Sequence, residues 1–228
     1  YLAGNGITDI NNGACVKGDA GIEIRAGVLN INGGTVESTG TYSAPIANGN
    51  GTTASGAALI VAEHTTNQGI TVNVNSGNIK AASNGKAIAA SDPENKGGDD
   101  VKLNVAGGNV VGGIQVEESI EAAKPVAVTG GTFSTDVTGY LGEGKVLQKN
   151  GDTYTAVTNS AITSGTYTSE PTVPSGYKAT KNDDGTWTVS KVSYYYYQPT
   201  TDTKTTDTKG SPKTFDAGIA LYVGMALT

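Results

Sequence analysis

A short motif recurs six times along this chain, and it constrains the fold more than any other feature. In each copy a β-branched residue stands three positions before an anchor glycine, a small or turn-forming residue precedes the glycine, and an apolar residue follows two positions after it. The anchors are Gly13, Gly34, Gly77, Gly108, Gly131 and Gly165. Alternating apolar residues predict a short strand, and a small residue followed by glycine predicts a turn. The sequence therefore predicts a repeat protein.

The anchors are separated by 21, 43, 31, 23 and 34 residues. Propellers and helical solenoids have a nearly fixed period, whereas a constant motif at variable spacing indicates stacked rungs with loop insertions. Four anchors have a second strand-like segment upstream, at residues 21–24, 58–61, 87–90 and 113–116. The shortest rung, 21 to 23 residues, is the size of one turn of a parallel β-helix. We predict an all-β protein with a right-handed parallel β-helix over residues 1–135.

Three strings carry a resemblance to known proteins: VLNINGGTVES, VKLNVAGGNVVGG and VAVTGGTFSTDVTGYL. They resemble the Gly-rich right-handed β-helices, related in architecture to the pectate-lyase solenoid, of surface proteins from Gram-positive gut bacteria. The resemblance covers residues 20–135 and implies an extracellular protein attached to the cell surface or cell wall. We also expect the chain to be a fragment, because it begins at Tyr1 within the repeat pattern.

Two later segments, residues 128–157 and 162–189, resemble a tandem terminal module of the same proteins. Each reads as a strand followed by a hairpin, with turns at Asn150-Gly151 and Asp184-Gly185, which are strong hairpin signals. The open end of a β-helix is a template for strand pairing. We therefore predict β-hairpin cap modules over residues 136–190.

The C-terminal part of the chain changes in composition. Residues 191–210 include QPTTDTKTTDTKG, which has no large apolar residue, and they are predicted to be a disordered spacer. Residues 211–228 resemble the start of a truncated sorting or membrane anchor signal. The residues similar to the sortase pattern are Ser211, Pro212, Lys213 and Thr214, although Phe215 stands where that pattern has glycine. The alternative is a plain membrane tail.

Charge and cysteine content restrict the function. The formal net charge is -6 and Arg25 is the only arginine, which argues against a nucleic-acid partner. A single cysteine forms neither an internal disulfide nor a Cys-based zinc site. Cys15 stands in the same motif position as Val36, so it is predicted to be buried in the core.

Catalytic residues are not evident. Parallel β-helices include polysaccharide lyases and hydrolases, but no cationic cluster surrounds Arg25 and no carboxylate pair stands out as a glycosidase site. Glu63 and His64 are adjacent, without a nucleophile motif, and are predicted to begin a solvated loop. We predict a protein that is not an enzyme. Two alternatives stay open: a polysaccharide-active enzyme whose site is degenerate or lies upstream, and a purely structural stalk.

Two columns of polar residues are expected if the rungs stack in register. Aligning the upstream strands puts Glu63, Asp92 and Glu118 in one column, about 4.8 Å apart from rung to rung. Such a column could bind calcium, which takes six to eight oxygen ligands. The alternative is that these carboxylates diverge into solvent, in which case no cofactor is expected.

The second column consists of asparagines that alternate with core positions and should face outward. They are Asn11, Asn32 and Asn75, two residues before an anchor, and Asn30, Asn73 and Asn104, four residues before one. Stacked amides can hydrogen-bond along the stack or present a polar face to a glycan. We interpret the asparagines as structural rather than ligand-binding. The repeat, the spacer, the anchor-like end and the lack of a catalytic motif lead us to expect an adhesin-like or carbohydrate-contacting protein whose partners are glycans or host or cell-wall polymers. Its specificity is expected in the insertions at residues 37–55, 63–69 and 91–100.

Overall fold

The computed structural model describes residues 1–47, 52–63, 68–93 and 100–194. The chain divides into two units, Tyr1–Val192 and Ser193–Thr228, and all but the first two residues of the second unit lie outside the described residues. The predicted sorting-signal residues Ser211, Pro212, Lys213 and Thr214 also lie outside them, as does His64. Tyr1–Val192 is an all-β unit, which confirms the all-β part of the predicted fold class.

The strands form three sheets. The largest contains β1 (Ile7–Ile10), β2 (Cys15–Gly18), β4 (Gly27–Ser38), β8 (Ile70–Lys80), β10 (Val101–Val105), β11 (Asn109–Val111), β13 (Val126–Val128), β14 (Thr132–Phe133), β15 (Lys145–Asn150), β16 (Thr153–Thr158), β17 (Gly165–Tyr167), β18 (Tyr177–Lys181) and β19 (Trp187–Lys191). A second sheet contains β3 (Ile22–Ile24), β7 (Ala57–Ala62), β9 (Lys86–Ser91) and β12 (Gly113–Val116). A two-stranded sheet pairs β5 (Ser43–Ala47) with β6 (Thr52–Ser55).

Helical structure is sparse. The α-helix α1 (Glu118–Glu121) follows β12, and a 3-10 turn covers Thr138–Tyr140. Among the described residues no helix is long and apolar enough to cross a membrane.

The first part of the large sheet is parallel and pairs the motif copies in register. Ile10, Ile31, Val74, Val105 and Val128 are aligned on neighbouring strands. The last four of these side chains are fully buried in the main core. The predicted alignment of the first five copies is therefore confirmed at this position.

The second sheet is also parallel, and its four strands are those predicted upstream of the anchors. Ile22, Leu59, Ile88 and Ile114 are paired in the predicted register. Their side chains share one apolar core with those of the large sheet, so the main core lies between the two parallel sheets. Burying apolar side chains from both sheets supplies the main driving force for this arrangement.

All six anchor glycines have a positive φ, from 68° at Gly34 to 114° at Gly165. Residues with a Cβ rarely adopt this conformation. At Gly77 there is a second constraint, because an added Cβ would lie 2.6 Å from the carbonyl oxygen of Gly33 on the preceding rung. Each motif copy therefore requires glycine at its anchor for the positive φ, and Gly77 is required also for the close approach of two backbones.

The sixth copy of the motif is not a parallel rung. Strand β17, which begins at Gly165, pairs antiparallel with both β15 and β19. The large sheet is mixed. Its pairing changes at β14, which pairs parallel with β11 on one edge and antiparallel with β16 on the other. Val146, Ile162, Tyr167 and Val189 in this last part form a separate small core, whereas Leu147 and Ala156 belong to the main core.

The predicted hairpin turns are confirmed. Strands β15 and β16 are joined through Gly151, which has a φ of 61°, and β18 and β19 are joined through Gly185, which has a φ of 84°. Asp184 stabilises the second turn by accepting a hydrogen bond from the backbone N–H of Thr186 at 3.0 Å. Its pKa is held below the ordinary range, mainly by hydrogen bonds from the Thr186 side chain and backbone.

The predicted burial of Cys15 is wrong. Cys15 is exposed and pairs with Thr35, whereas Val16 pairs with Val36 and packs against the main core. The first rung has one more residue between its anchor, Gly13, and the core position than the second rung has. Because strand side chains alternate between faces, this single residue moves the thiol to the outside.

Candidate functional site

The asparagine ladder is the most regular polar feature of the outer surface. In its longer column the Nδ2 of Asn104 donates to the Oδ1 of Asn73 at 3.0 Å, and Asn73 donates in the same way to Asn30 at 2.8 Å. Asn30 then donates to the Oδ1 of Asp9 at 2.8 Å. Asp9 was not predicted to belong to the ladder, although it stands four residues before its anchor, as Asn30 does.

A second column of the ladder runs beside the first. The Nδ2 of Asn75 donates to Asn32 at 2.8 Å, and Asn32 makes a longer contact to Asn11 at 3.5 Å. A side-chain amide has two N–H donors and two acceptor lone pairs, so these bonds use only part of its capacity. The hydrogen-bonded ladder is confirmed, and its amides retain capacity for a polar ligand.

Charged residues extend the same surface beyond the anchor turns. Glu37 lies between Lys17, at 3.1 Å, and Lys80, at 3.9 Å, on neighbouring strands. The hydrogen bond from Lys17 is the main cause that lowers the pKa of Glu37. Among these three side chains the two ammonium groups outnumber the single carboxylate.

The predicted carboxylate column is aligned at the backbone but not in its side chains. The N–H of Glu63 donates to the Ser91 carbonyl at 3.0 Å, and the N–H of Glu117 donates to the Ala90 carbonyl at 2.9 Å. These bonds bring Glu63, Asp92 and Glu118 to equivalent places after their strands.

The three carboxylates differ in burial. Glu63 and Asp92 are 0 % and 2 % exposed, whereas Glu118 begins α1 and is exposed. The alternative of divergence into solvent therefore holds for Glu118 only. Within the described residues no group of three or more His, Cys, Asp or Glu side chains is arranged to hold a metal ion. Calcium binding at this column stays a prediction.

Arg25 has a structural environment. It is 2 % exposed, its Nε lies 2.7 Å from the Oε1 of Glu23, and its guanidinium lies 4.2 Å from the centre of the Tyr1 ring. The cation–π contact holds Tyr1 against Arg25, and the backbone hydrogen bonds of Leu2 to Glu23 and Arg25, each 2.8 Å, fix the N-terminal residues against β3.

The insertion at residues 37–55 folds back as the β5–β6 hairpin. Tyr42, which precedes the hairpin, packs against a small apolar cluster that includes Ile60 and Ala89 on the outer side of the second sheet. The backbone N–H of Tyr42 donates to the Asn84 carbonyl at 2.9 Å. Burial, with a smaller contribution from the charge of Glu117, raises the pKa of the Tyr42 phenol. The base of the insertion is therefore attached to the outer side of the second sheet.

Two cavities open near the ends of the parallel sheets. The first, which we call the end cavity, has a volume of about 240 Å³ and lies beside α1 and the 3-10 turn. Its lining residues are Val116, Glu121, Lys124, Pro125, Val126, Gly139, Tyr140 and Leu141. The second, of about 250 Å³, is lined by Tyr1, Leu2, Ala3, Gly4, Gly6, Thr8, Ala26 and Val28. Neither was predicted, because each combines residues from separate segments that share no motif.

Comparisons with protein-family models, with curated proteins and with solved structures give no match for this chain. The candidate sites are therefore the asparagine ladder and the end cavity.

Proposed function

We propose that this chain is a non-enzymatic, carbohydrate-contacting protein of the bacterial cell surface, adhesin-like and built on a right-handed parallel β-helix. The proposal is supported by two parallel sheets that alternate along the chain. From β3 to β14, each upstream segment belongs to the second sheet and each anchor motif to the first. A right-handed crossover is the general preference for parallel strands.

The C-terminal hairpins are proposed to be the cap of this β-helix. Strand β16 covers the edge of β14 by antiparallel pairing, and β15 and β17 continue the sheet beyond it. Phe133 on β14 is fully buried, and Tyr154 on β16 packs against the main core. Large aromatic side chains at the end of the stack would close the core against water.

Carbohydrate contact is supported most by the asparagine ladder. Amides donate and accept at the same time, as sugar hydroxyls do, and stacked rungs repeat these groups at a constant spacing of about 4.8 Å. Most of the ladder asparagines are exposed, with Asn30 and Asn73 partly covered by their neighbours. A glycan chain with repeating hydroxyl groups would find the same set of donors and acceptors on successive rungs.

Surface attachment is proposed from the sequence alone. The Thr-rich spacer and residues Ser211, Pro212, Lys213 and Thr214 precede an apolar segment, as in a wall-anchored protein. Fractionation of cells that produce this protein would test this. Recovery only after enzymatic digestion of the wall supports attachment, and recovery in the cytoplasm contradicts it.

Binding of the full chain to a broad glycan array tests the proposed function. We expect saturable binding to one class of glycan, and we expect the double variant Asn75→Ala, Asn104→Ala to bind it more weakly while the sheets remain folded. Lys178→Ala, an exposed change on β18, is the matched control. Release of new reducing ends or unsaturated sugars would instead favour an enzyme, and absence of binding to every glycan would favour a stalk.

Calcium binding is a separate proposal and concerns Glu63 and Asp92. The melting temperature of the chain is measured with calcium and then with chelator. A bound ion stabilises the native state, so the melting temperature should rise with calcium and return on chelation. An unchanged melting temperature contradicts calcium binding.

A further inference from the structure

The end cavity is built from parts that the backbone holds in place. Val126 begins β13, and the preceding Pro125 carbonyl accepts a hydrogen bond from the N–H of Leu103 at 2.7 Å. On the opposite side Leu141 bridges to Val128, and the N–H of Gly142 donates to the Val128 carbonyl at 2.8 Å. Both walls are therefore tied to the same parallel strand. A cavity fixed in this way loses little entropy when a ligand enters.

The polar rim of the cavity comes from α1 and the turn after it. Ile120 is fully buried beneath this segment, and the N–H of Lys124 donates to the Glu121 carbonyl at 3.0 Å. Lys124 has a φ of 48°, one of the positive values among the described non-glycine residues. A left-handed residue is usually kept only where its surroundings require it, and such residues cluster at ligand sites.

Tyr140 supplies the third polar group. Burial raises the pKa of its phenol, and the negative charge of Glu121 raises it further. The phenol therefore stays protonated at neutral pH and can both donate and accept a hydrogen bond. Glu121 and Tyr140 both line the end cavity.

The combination of groups selects a chemical class of ligand. A simple anion would meet the Glu121 carboxylate, and a simple cation would meet the Lys124 ammonium group. A neutral ring with several hydroxyls can bind to both side chains, because a hydroxyl donates to the Glu121 carboxylate and accepts from the Lys124 ammonium group. The apolar side chains of Val126 and Leu141 suit the C–H face of such a ring.

The size of the cavity limits the ligand further. Pockets for drug-sized molecules have volumes of about 300–1,000 Å³, and the end cavity, at about 240 Å³, is smaller. We propose that the end cavity binds one pyranose ring of a neutral glycan through Glu121, Lys124 and Tyr140. This inference deepens the proposed function and rests on it, and it adds a second point of contact to the asparagine ladder.

The test uses the full chain and a set of neutral methyl pyranosides, with ligand contact measured by saturation-transfer NMR and affinity by NMR titration. For a ligand this small we expect a Kd on the order of 1 mM for the preferred sugar. Gly139→Leu adds a side chain to the cavity lining at a position where a Cβ meets no atom within 4 Å. Glu121→Gln removes the negative charge at the cavity rim and keeps a side chain of nearly the same shape.

Gly4→Leu is the matched control, because Gly4 has the same open surroundings but lines the second cavity. We expect Gly139→Leu to weaken binding about tenfold or more, Glu121→Gln to weaken it severalfold, and Gly4→Leu to leave it within about twofold. Circular dichroism of each variant checks that the sheets are intact.

The outcomes separate this inference from the proposed function. If methyl pyranosides bind but Gly139→Leu and Glu121→Gln bind them as well as the unmodified chain does, the end cavity is not the site and the proposed function stands. The same conclusion follows if the chain binds polymers on the glycan array but no pyranoside. If it binds neither, both proposals fail.

Discussion

Alanine substitution at four glycines would separate the two reasons why the rungs need glycine. Gly77 has both a left-handed φ of 92° and a close approach, since a Cβ there would lie 2.6 Å from the Gly33 carbonyl oxygen. Gly151 has only the left-handed φ, of 61°, with no atom within 4 Å of the added Cβ. At Gly107 the φ lies outside the left-handed range, but a Cβ would press on the Asn75 carbonyl oxygen. Gly4 has neither constraint.

The expected magnitudes follow from these differences. A left-handed conformation costs an L-residue about 1–2 kcal/mol, so Gly151→Ala should lower the free energy of unfolding by that amount. Overpacking against a backbone costs about 1–3 kcal/mol, which is the expectation for Gly107→Ala. Gly77→Ala combines both and should cost about 2–5 kcal/mol. Gly4→Ala should be neutral or stabilising by up to about 1 kcal/mol, because it restricts the unfolded chain.

Urea denaturation followed by two probes would measure these changes. Far-UV circular dichroism reports on all the sheets, whereas the fluorescence of Trp187, the only tryptophan, reports on the antiparallel end. Coincident transitions would justify a single free energy of unfolding. If Gly77→Ala costs no more than Gly151→Ala, the close approach between rungs carries no energy, and the anchor position requires glycine for its φ alone.

Three further predictions concern single side chains. Asn73→Thr improves intrinsic strand propensity but removes two ladder hydrogen bonds worth about 0.5–1.5 kcal/mol each. Urea denaturation should therefore show a lower free energy of unfolding for this variant. A higher value would mean that the ladder does not stabilise the sheet. Cys15 should react with a maleimide in the native state nearly as fast as in the denatured chain, while burial of the thiol would slow the native reaction severalfold or more. Lys17 is the main cause of the lowered pKa of Glu37. The ionised Glu37 carboxylate should therefore contribute its full stabilisation above the ordinary glutamate pKa range, and this stabilisation should be lost as the pH falls below that range. An NMR titration of Glu37 should therefore give a midpoint below the ordinary glutamate pKa, and Lys17→Met should raise that midpoint toward the ordinary pKa. An unshifted midpoint would contradict the ion pair between Lys17 and Glu37.

Features that depend on local periodicity could be predicted from the sequence. The register of Ile22, Leu59 and Ile88 follows from alternation along each strand and from a constant motif downstream. The outward position of Asn73 follows from the same alternation, because its neighbours Val72 and Val74 face the core. Both inferences need only the side-chain period of a strand and the assumption that equivalent rungs stack.

Other features depend on contacts that the motif does not encode. Cys15 and Val16 are both apolar, so the extra residue in the first rung gives no signal in a hydrophobic pattern. The copy at Gly165 has the same residue types as the others, yet its neighbours run antiparallel, because strand direction is set by the hairpins on either side. The end cavity could not be predicted either, since Glu121 and Tyr140 come from segments whose proximity arises only on folding.

The departures from the motif are concentrated at the ends of the parallel stack, and this has a physical reason. An interior rung is covered above and below, so its core position takes an aliphatic residue of similar size to its neighbours, as in Val36, Ile79 and Val110. At the last parallel rung the equivalent residue is Phe133, and the strand beyond it presents Tyr154 at the paired position. Beyond this rung the parallel pairing ends, so larger side chains exclude water from the core, and no further parallel rung constrains the loops. Because these loops are less constrained, they leave space for a cavity beside α1. In a repeat protein of this kind we therefore expect a small-ligand site at the end of the stack. Along the side of the stack we expect a surface that contacts a polymer with a repeating structure.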